Sequence, residues 1–120
     1  MTHTIAPGAP SRPALRYHGA KWRLAPWLLS HVPAHELYCE PFAGSLAVLL
    51  RKERSLLEVA NDLDGEVVNF FRTLREQPDA LIRAIELTPY AKAEWLLSFE
   101  PAADPMEAAR RFYVRAYMSI

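Results

Sequence analysis

The first strong apolar run, Leu37-Tyr38-Cys39, breaks at Glu40-Pro41, turns through Ala43-Gly44-Ser45 and resumes as Leu46-Ala47-Val48-Leu49-Leu50. This pattern predicts a strand over 36–39, a tight turn and then a helix. The charged stretch from Arg51 to Arg54 ends that helix, and Leu56, Leu57 and Val59 predict a second strand over 55–60. An acidic turn, Asn61-Asp62-Leu63-Asp64-Gly65-Glu66, leads into Val67, Val68, Phe70, Phe71 and Leu74 at helical spacing. Strand, turn, helix, strand, acidic turn and helix together have the size of one βαβ unit, with parallel strands and a right-handed crossover. The fold class is α/β, with few parallel strands and several helices.

Before the first strand, Leu24, Trp27 and Leu28 are at helical spacing. Pro26 is tolerated only near a helix start, so a first turn around Ala25 is predicted, ending before Pro33. Beyond Gln77 the chain reads helical throughout. Pro78-Asp79 opens a segment with Leu81, Ile82 and Ile85. Thr88-Pro89 opens another, with Thr88 as N-cap, Pro89 in the first turn and Trp95, Leu96 and Phe99 on the buried side. A last helix carries Met106, Ala109, Phe112, Tyr113 and Ala116 and runs to Ile120 without a capping glycine, as if the natural protein continues. Residues 1–14, rich in proline, read as a flexible tail, and 15–120 as one domain.

Composition narrows the picture. Apolar residues make up 51% of the 120 positions, enough for a core, and 14 basic side chains balance 14 acidic ones. That balance gives no global footprint for nucleic acid or membrane, so contact with either would be local. No run approaches the roughly 20 apolar residues that span a bilayer. Cys39 stands alone, as expected in a reducing cytoplasm, and its place in an apolar run reads as a small buried hydrophobe. His3, His31 and His35 have no ligand spacing with acids or with Cys39, so no metal is expected.

The candidate chemistry gathers around the strand ends. Gly44 can take φ > 0, letting a ligand approach the backbone at a helix start. Asp62 follows it at roughly the 20-residue distance at which a carboxylate takes two ribose hydroxyls. The competing reading is that Asn61, Asp62 or Asp64 caps the next helix, for which Asp64 is the better placed. Lys21, after Gly19-Ala20, would clamp an anion or carboxylate, and Tyr17 would lie against a flat heterocycle. Otherwise Lys21 is solvated and Tyr17 packs at the core edge. Arg16, His18, Trp22 and Arg23 form a local cluster of basic and aromatic types. Arg110, Arg111 and Arg115 form a strip on the last helix that reads as solvated, or as paired with acids such as Glu107.

These pieces resemble the amino-terminal part of the Dam-like, D12 class of DNA adenine N6-methyltransferases. The family's opening segment of a basic residue, an aromatic and Gly-Gly-Lys is matched by Arg16-Tyr17-His18-Gly19-Ala20-Lys21, departing at Ala20. Its methionine-binding turn is matched by Glu40-Pro41-Phe42-Ala43-Gly44-Ser45, and its ribose-binding turn by Asn61-Asp62-Leu63-Asp64. The resemblance covers roughly residues 12 to 118 and implies a partial Rossmann-like fold dependent on S-adenosylmethionine. It implies that Tyr17 faces the cofactor's adenine, Lys21 holds its carboxylate and Asp62 takes its ribose hydroxyls, with Glu40, Phe42 and Gly44 completing the cofactor site. Double-stranded DNA is the implied partner of the complete enzyme.

The family's catalytic Asp-Pro-Pro-Tyr is not present. The sequence has one Asp-Pro pair, in Asp104-Pro105-Met106-Glu107, without the second proline and the aromatic. The expectation is therefore the cofactor-binding half of such an enzyme, either truncated or completed by a separate chain, that does not methylate DNA alone. The alternatives are a non-catalytic module for S-adenosylmethionine or an adenosine nucleotide, or a degenerate remnant.

Overall fold

A computed structural model describes residues 4–118, so His3 and the last two residues lie outside it. The chain divides into two compact units, Met1–Leu63 and Asp64–Ile120. The first contains helix α1 (Ala25–Ser30) and strands β1 (Leu37–Glu40) and β2 (Leu57–Ala60). The second contains helices α2 (Gly65–Glu76), α3 (Pro78–Glu86), α4 (Lys92–Leu97) and α5 (Pro105–Met118).

In the first unit the strands pair in parallel, with Leu37 opposite Leu57, Tyr38 opposite Glu58, Cys39 opposite Val59 and Glu40 opposite Ala60. The ladder continues past both ends, as Leu57 N–H donates to Glu36 O at 3.0 Å and Asn61 N–H to Glu40 O at 2.8 Å. Each strand has only 4 residues. Alternation puts Tyr38, Glu40 and Glu58 on the half-buried side and Leu37, Cys39, Leu57 and Val59 on the exposed side. Cys39 is thus exposed, contrary to its reading as a buried hydrophobe. An apolar run of three residues does not say which of its alternating positions faces the core.

The helix expected after the turn is not formed. Leu46 is left-handed, with φ 57, and a helix cannot pass through a residue in that region. Overlapping turns replace it: Leu46 N–H donates to Ala43 O, Leu50 N–H to Leu46 O, and both Arg51 and Lys52 N–H to Val48 O. The short apolar stretch before Arg51 is in any case too brief to overcome the cost of helix nucleation unaided. Val48 nevertheless reaches the core with Ala25 and Leu29, against which Ile5, Leu28, Val32 and Tyr38 pack half-buried. Helix α1 begins where Pro26 predicted and buries Ala25 and Leu29, while Leu24 and Trp27 are exposed. Lys52 is buried with all three donors used, on Glu53 O, Ser55 Oγ and Glu58 Oε1.

The second unit is built on the α2 face formed by Val67, Phe70 and Thr73, the i, i+3, i+6 pattern of an amphipathic helix. Asp64 caps α2, accepting from Glu66 N–H at 2.9 Å. Ala109, Phe112 and Val114 are the buried residues of α5, and Leu81 that of α3. The Phe70 and Phe112 ring centres are 6.0 Å apart, within the range of favourable aromatic pairs.

Two helix boundaries differ from the sequence pattern. Thr88 does not cap the start of α4; its hydroxyl donates backwards to Ala84 O at 2.8 Å and closes the end of α3. Pro89 follows as a stop, and α4 begins at Lys92 after an extended Ala91. Ser98, just past α4, is buried, whereas Trp95 is half-buried and Leu96 and Phe99 are exposed. The arginine strip of α5 is paired. Arg110 holds Glu107 through two bonds, at 2.8 and 2.6 Å, and reaches Glu94 at 3.0 Å. Arg111 shares Glu107 at 2.8 Å, and Arg115 meets Glu66 at 2.6 Å. No helix among the described residues is long and apolar enough to cross a membrane.

Candidate functional site

The site lies in the first unit, at the carboxyl ends of β1 and β2. Where parallel strands end side by side, the turns that follow them face each other and leave room for a ligand. The turn after β1 is bound to the residues after β2 by three hydrogen bonds. Ala43 N–H donates to Asn61 O at 2.8 Å, Gly44 N–H to Asp62 Oδ2 at 2.8 Å, and Asn61 Nδ2 to Pro41 O at 3.2 Å. Asp62 therefore organises the turn as well as facing the cavity, a bond that the sequence alone does not reveal.

Gly44 is required twice over. Its φ of 53 belongs to the left-handed region, and a Cβ there would stand 3.1 and 3.3 Å from two carbons of the Tyr17 ring. Tyr17 thus lies directly against the turn. The loop that carries it is closed by Ala20 N–H donating to Tyr17 O at 3.1 Å, with Gly19 at φ 79. Lys21 is exposed at the end of this loop and bends back to Gly19 O at 3.3 Å. Its flexible stem leaves the ammonium free to swing toward an anion.

The cleft between these segments is partly open to solvent and has a volume of about 210 Å³. Tyr17, Lys21, Glu40, Phe42, Gly44 and Asp62 all line it. His18, which the sequence places in a basic and aromatic cluster, lines it too, as do Ser45, Ala47 and Val48, which the sequence pattern does not assign to the site; adjacency to the glycine turn was the available signal for these three. Phe42 borders the cavity while 90% exposed, and Leu63, next to Asp62, is 98% exposed. Apolar groups left in water beside a cleft are surface that a ligand would cover.

Glu40 supplies the charge at the floor. Its Oε2 accepts Leu49 N–H at 3.0 Å. Burial raises its pKa, an effect opposed by the Leu49 bond and the Lys52 ammonium. The Tyr38 hydroxyl is pushed up to about 12, first by burial and then by Glu40 and Glu58, so it stays neutral across the physiological range.

The remaining sequence candidates have structural roles. Asp104 Oδ2 accepts Glu107 N–H at 2.9 Å, so the Asp104-Pro105 pair is the start of α5. The α5 arginines are occupied by carboxylates. No group of three or more metal-ligating side chains occurs among the described residues.

A model of the D12 class N6 adenine-specific DNA methyltransferase family matches residues 17–113, most of the chain. The chain belongs to that family. No curated protein matches it. The family match opens on Tyr17, the first residue of the cavity wall, and spans all the segments that line the cavity. The family methylates adenine in DNA, so DNA is its substrate, and S-adenosylmethionine is its usual methyl donor.

Proposed function

We propose that this chain binds S-adenosylmethionine in the cavity at the ends of β1 and β2 and forms the methyl-donor half of an adenine-specific DNA methyltransferase of Rossmann-like architecture. The observation that carries this reading is the convergence of Tyr17, Lys21, Glu40, Gly44 and Asp62 on one cavity. The donor set fits the cofactor's chemistry: carboxylates for ribose hydroxyls and an ammonium, a lysine for a carboxylate, and an aromatic ring for a flat base. When bound, the cofactor supplies an electrophilic methyl group on its sulfonium.

The protein's own contribution is placement. Asp62 accepts hydrogen bonds from the ribose, and Lys21 swings from Gly19 O to the methionine carboxylate. Tyr17 rests against the adenine. Glu40 faces the methionine ammonium, and that cation favours the ionised form against the effect of burial. A volume of about 210 Å³ is below the roughly 300–1,000 Å³ of most ligand pockets. The cleft therefore holds part of the cofactor, and the exposed Phe42 and Leu63 cover more of it at the rim.

Transfer to adenine N6 also requires hydrogen-bond acceptors for the extruded base's amino group and an aromatic to stack on it. These 120 residues contain no Asp-Pro-Pro-Tyr, and the one Asp-Pro pair is spent on a helix start. We therefore read the 120 residues as binding the donor without methylating DNA on their own. The same observation favours a second reading, a non-catalytic S-adenosylmethionine-binding module.

Calorimetric titration with S-adenosylmethionine tests the cofactor reading. Asp62→Ala and Lys21→Ala should each weaken binding by about 1–3 kcal/mol, the scale of a lost charge-assisted hydrogen bond. Binding that neither substitution changes would reject it. Methyl transfer to adenine-containing duplex DNA separates the two forms: activity on adding a chain that carries Asp-Pro-Pro-Tyr supports the split enzyme, and binding without transfer supports the module.

A further inference from the structure

Arg51, which follows the overlapping turns, is a side chain that fold stability alone does not explain. Its Nη1 donates to Trp22 O at 2.6 Å, and its guanidinium carbon is 4.4 Å from the centre of the Trp22 ring. Its Nε is buried with no hydrogen-bond partner. None of the ion pairs among the described residues involves it. A guanidinium partly withdrawn from water, with its Nε buried and no carboxylate beside it, incurs a desolvation cost that one carbonyl and one ring offset only in part.

What the arrangement provides is geometry. The carbonyl contact fixes where Trp22 is, and the ring contact fixes how it is turned. Trp22 directly follows Lys21, and the loop before it has little packing of its own, since His18, Gly19, Ala20 and Lys21 are all exposed. At its other end the loop is anchored by Leu15, which is fully buried. The wall of the cavity formed by residues 17–21 is thus held at its start by buried Leu15 and by Tyr17 against the Gly44 turn, and at its Lys21 end by the Arg51–Trp22 contact.

We infer that Arg51 is a positioning residue, which holds the Lys21 end of the Tyr17–Lys21 loop over the cavity and so sets how strongly a carboxylate-bearing ligand is held. The ligand part of this inference rests on the cofactor reading above; the loop part does not.

The test compares the full chain with Arg51→Ala and Arg51→Lys. Binding is measured for S-adenosylmethionine and for 5′-methylthioadenosine, which lacks the amino-acid carboxylate. Trypsin cleavage after Lys21 and Arg23 is followed by mass spectrometry, with Arg75 and Arg83 as internal references. In Arg51→Ala, S-adenosylmethionine affinity should fall about five- to tenfold while methylthioadenosine affinity stays within about twofold, since only the former engages Lys21. Cleavage after Lys21 and Arg23 should accelerate several-fold and that at the reference sites should not. Arg51→Lys keeps a cation and a donor near Trp22 and should recover most of both effects.

Equal weakening of the two ligands, or acceleration at all four sites, would mean that Arg51 serves general stability, and would overturn the inference. Unchanged cleavage after Lys21 and Arg23 would overturn it too. If the unsubstituted chain binds neither ligand, the cofactor reading fails by itself. The cleavage result then decides for Arg51 alone: selective acceleration upholds its hold on the loop, and no change refutes it.

Discussion

The two units hold themselves together by different means. In the second, apolar faces at helical spacing close on Phe70, Leu81, Ala109 and Phe112, and Arg110 and Arg115 on α5 tie it to α4 and α2 through Glu94 and Glu66. In the first, two strands of 4 residues and a helix of 6 leave most of the chain in turns, which pack on Leu15, Ala25, Leu29 and Val48 and are tied to one another by hydrogen bonds between loops. The helices of the second unit satisfy most of their backbone polar groups internally. In the first unit, hydrogen-bonded turns bring Gly44, Asp62 and Tyr17 around one cavity. Sites are commonly placed where backbone is irregular, because a ligand needs polar groups that regular structure would consume.

The largest effect that separates the units is expected at Phe70, which is 2% exposed. Phe70→Ala should cost about 3–5 kcal/mol of stability by removing a core ring. Chemical denaturation measures this, and a loss below about 1 kcal/mol would mean that Phe70 does not anchor the helical core. Next comes Gly44→Ala, where a left-handed non-glycine costs about 1–2 kcal/mol and the new methyl meets Tyr17 at 3.1 Å. Its damage should fall on ligand binding, with S-adenosylmethionine affinity reduced more than about tenfold. Wild-type affinity in this variant would show that Tyr17 and the turn move apart freely.

The ion pairs of the second unit give a pH signature. Glu107 is held at about 2, first by its hydrogen bonds to Arg110 and then by Arg111. A carboxylate whose folded pKa lies below its unfolded value near 4.5 contributes stability above that value and loses it as pH falls toward about 2. Glu107→Gln should therefore flatten the thermal stability profile between those limits and change it little at acid pH, where the wild-type pair is already lost. Because the pair is partly solvated, its contribution is about 1 kcal/mol. An unaltered profile would show that the Arg110–Glu107 bonds do not persist in solution. The smallest effect belongs to Cys39→Ala, expected within about 0.5 kcal/mol of wild type because its side chain is exposed. Native Cys39 should also react with a maleimide without denaturant, and protection would mean that its face of the sheet is covered.

Much of this organisation was legible in the sequence. The parallel strand pair, the α2 cap at Asp64 and the proline-led starts of α1 and α3 follow from local chemistry that tertiary contacts do not override. The cavity residues were legible because turn motifs and strand ends coincide. Leu46 was not: its apolar type and spacing suggest a helix, whereas its backbone is left-handed just after a turn bonded to Asn61 and Asp62, residues distant in sequence. Thr88 serves the end of one helix as readily as the start of the next, and only the position of Ala84 O decides between them. Cys39, Leu96 and Phe99 are exposed against expectation because a short apolar run fixes a hydrophobic segment without fixing which side of it is covered. Arg51 and the Asp62–Gly44 bond depend on long-range contacts that no local pattern contains.

The most direct test of the site is an amide NMR titration of the full chain with S-adenosylmethionine. Saturable shifts are expected at Ala20, Gly44, Ser45 and Asp62, with the amides of the α5 core at Ala109 and Phe112 unmoved. Shifts concentrated in the helical unit, or no shifts at all from a folded chain, would contradict the cofactor reading.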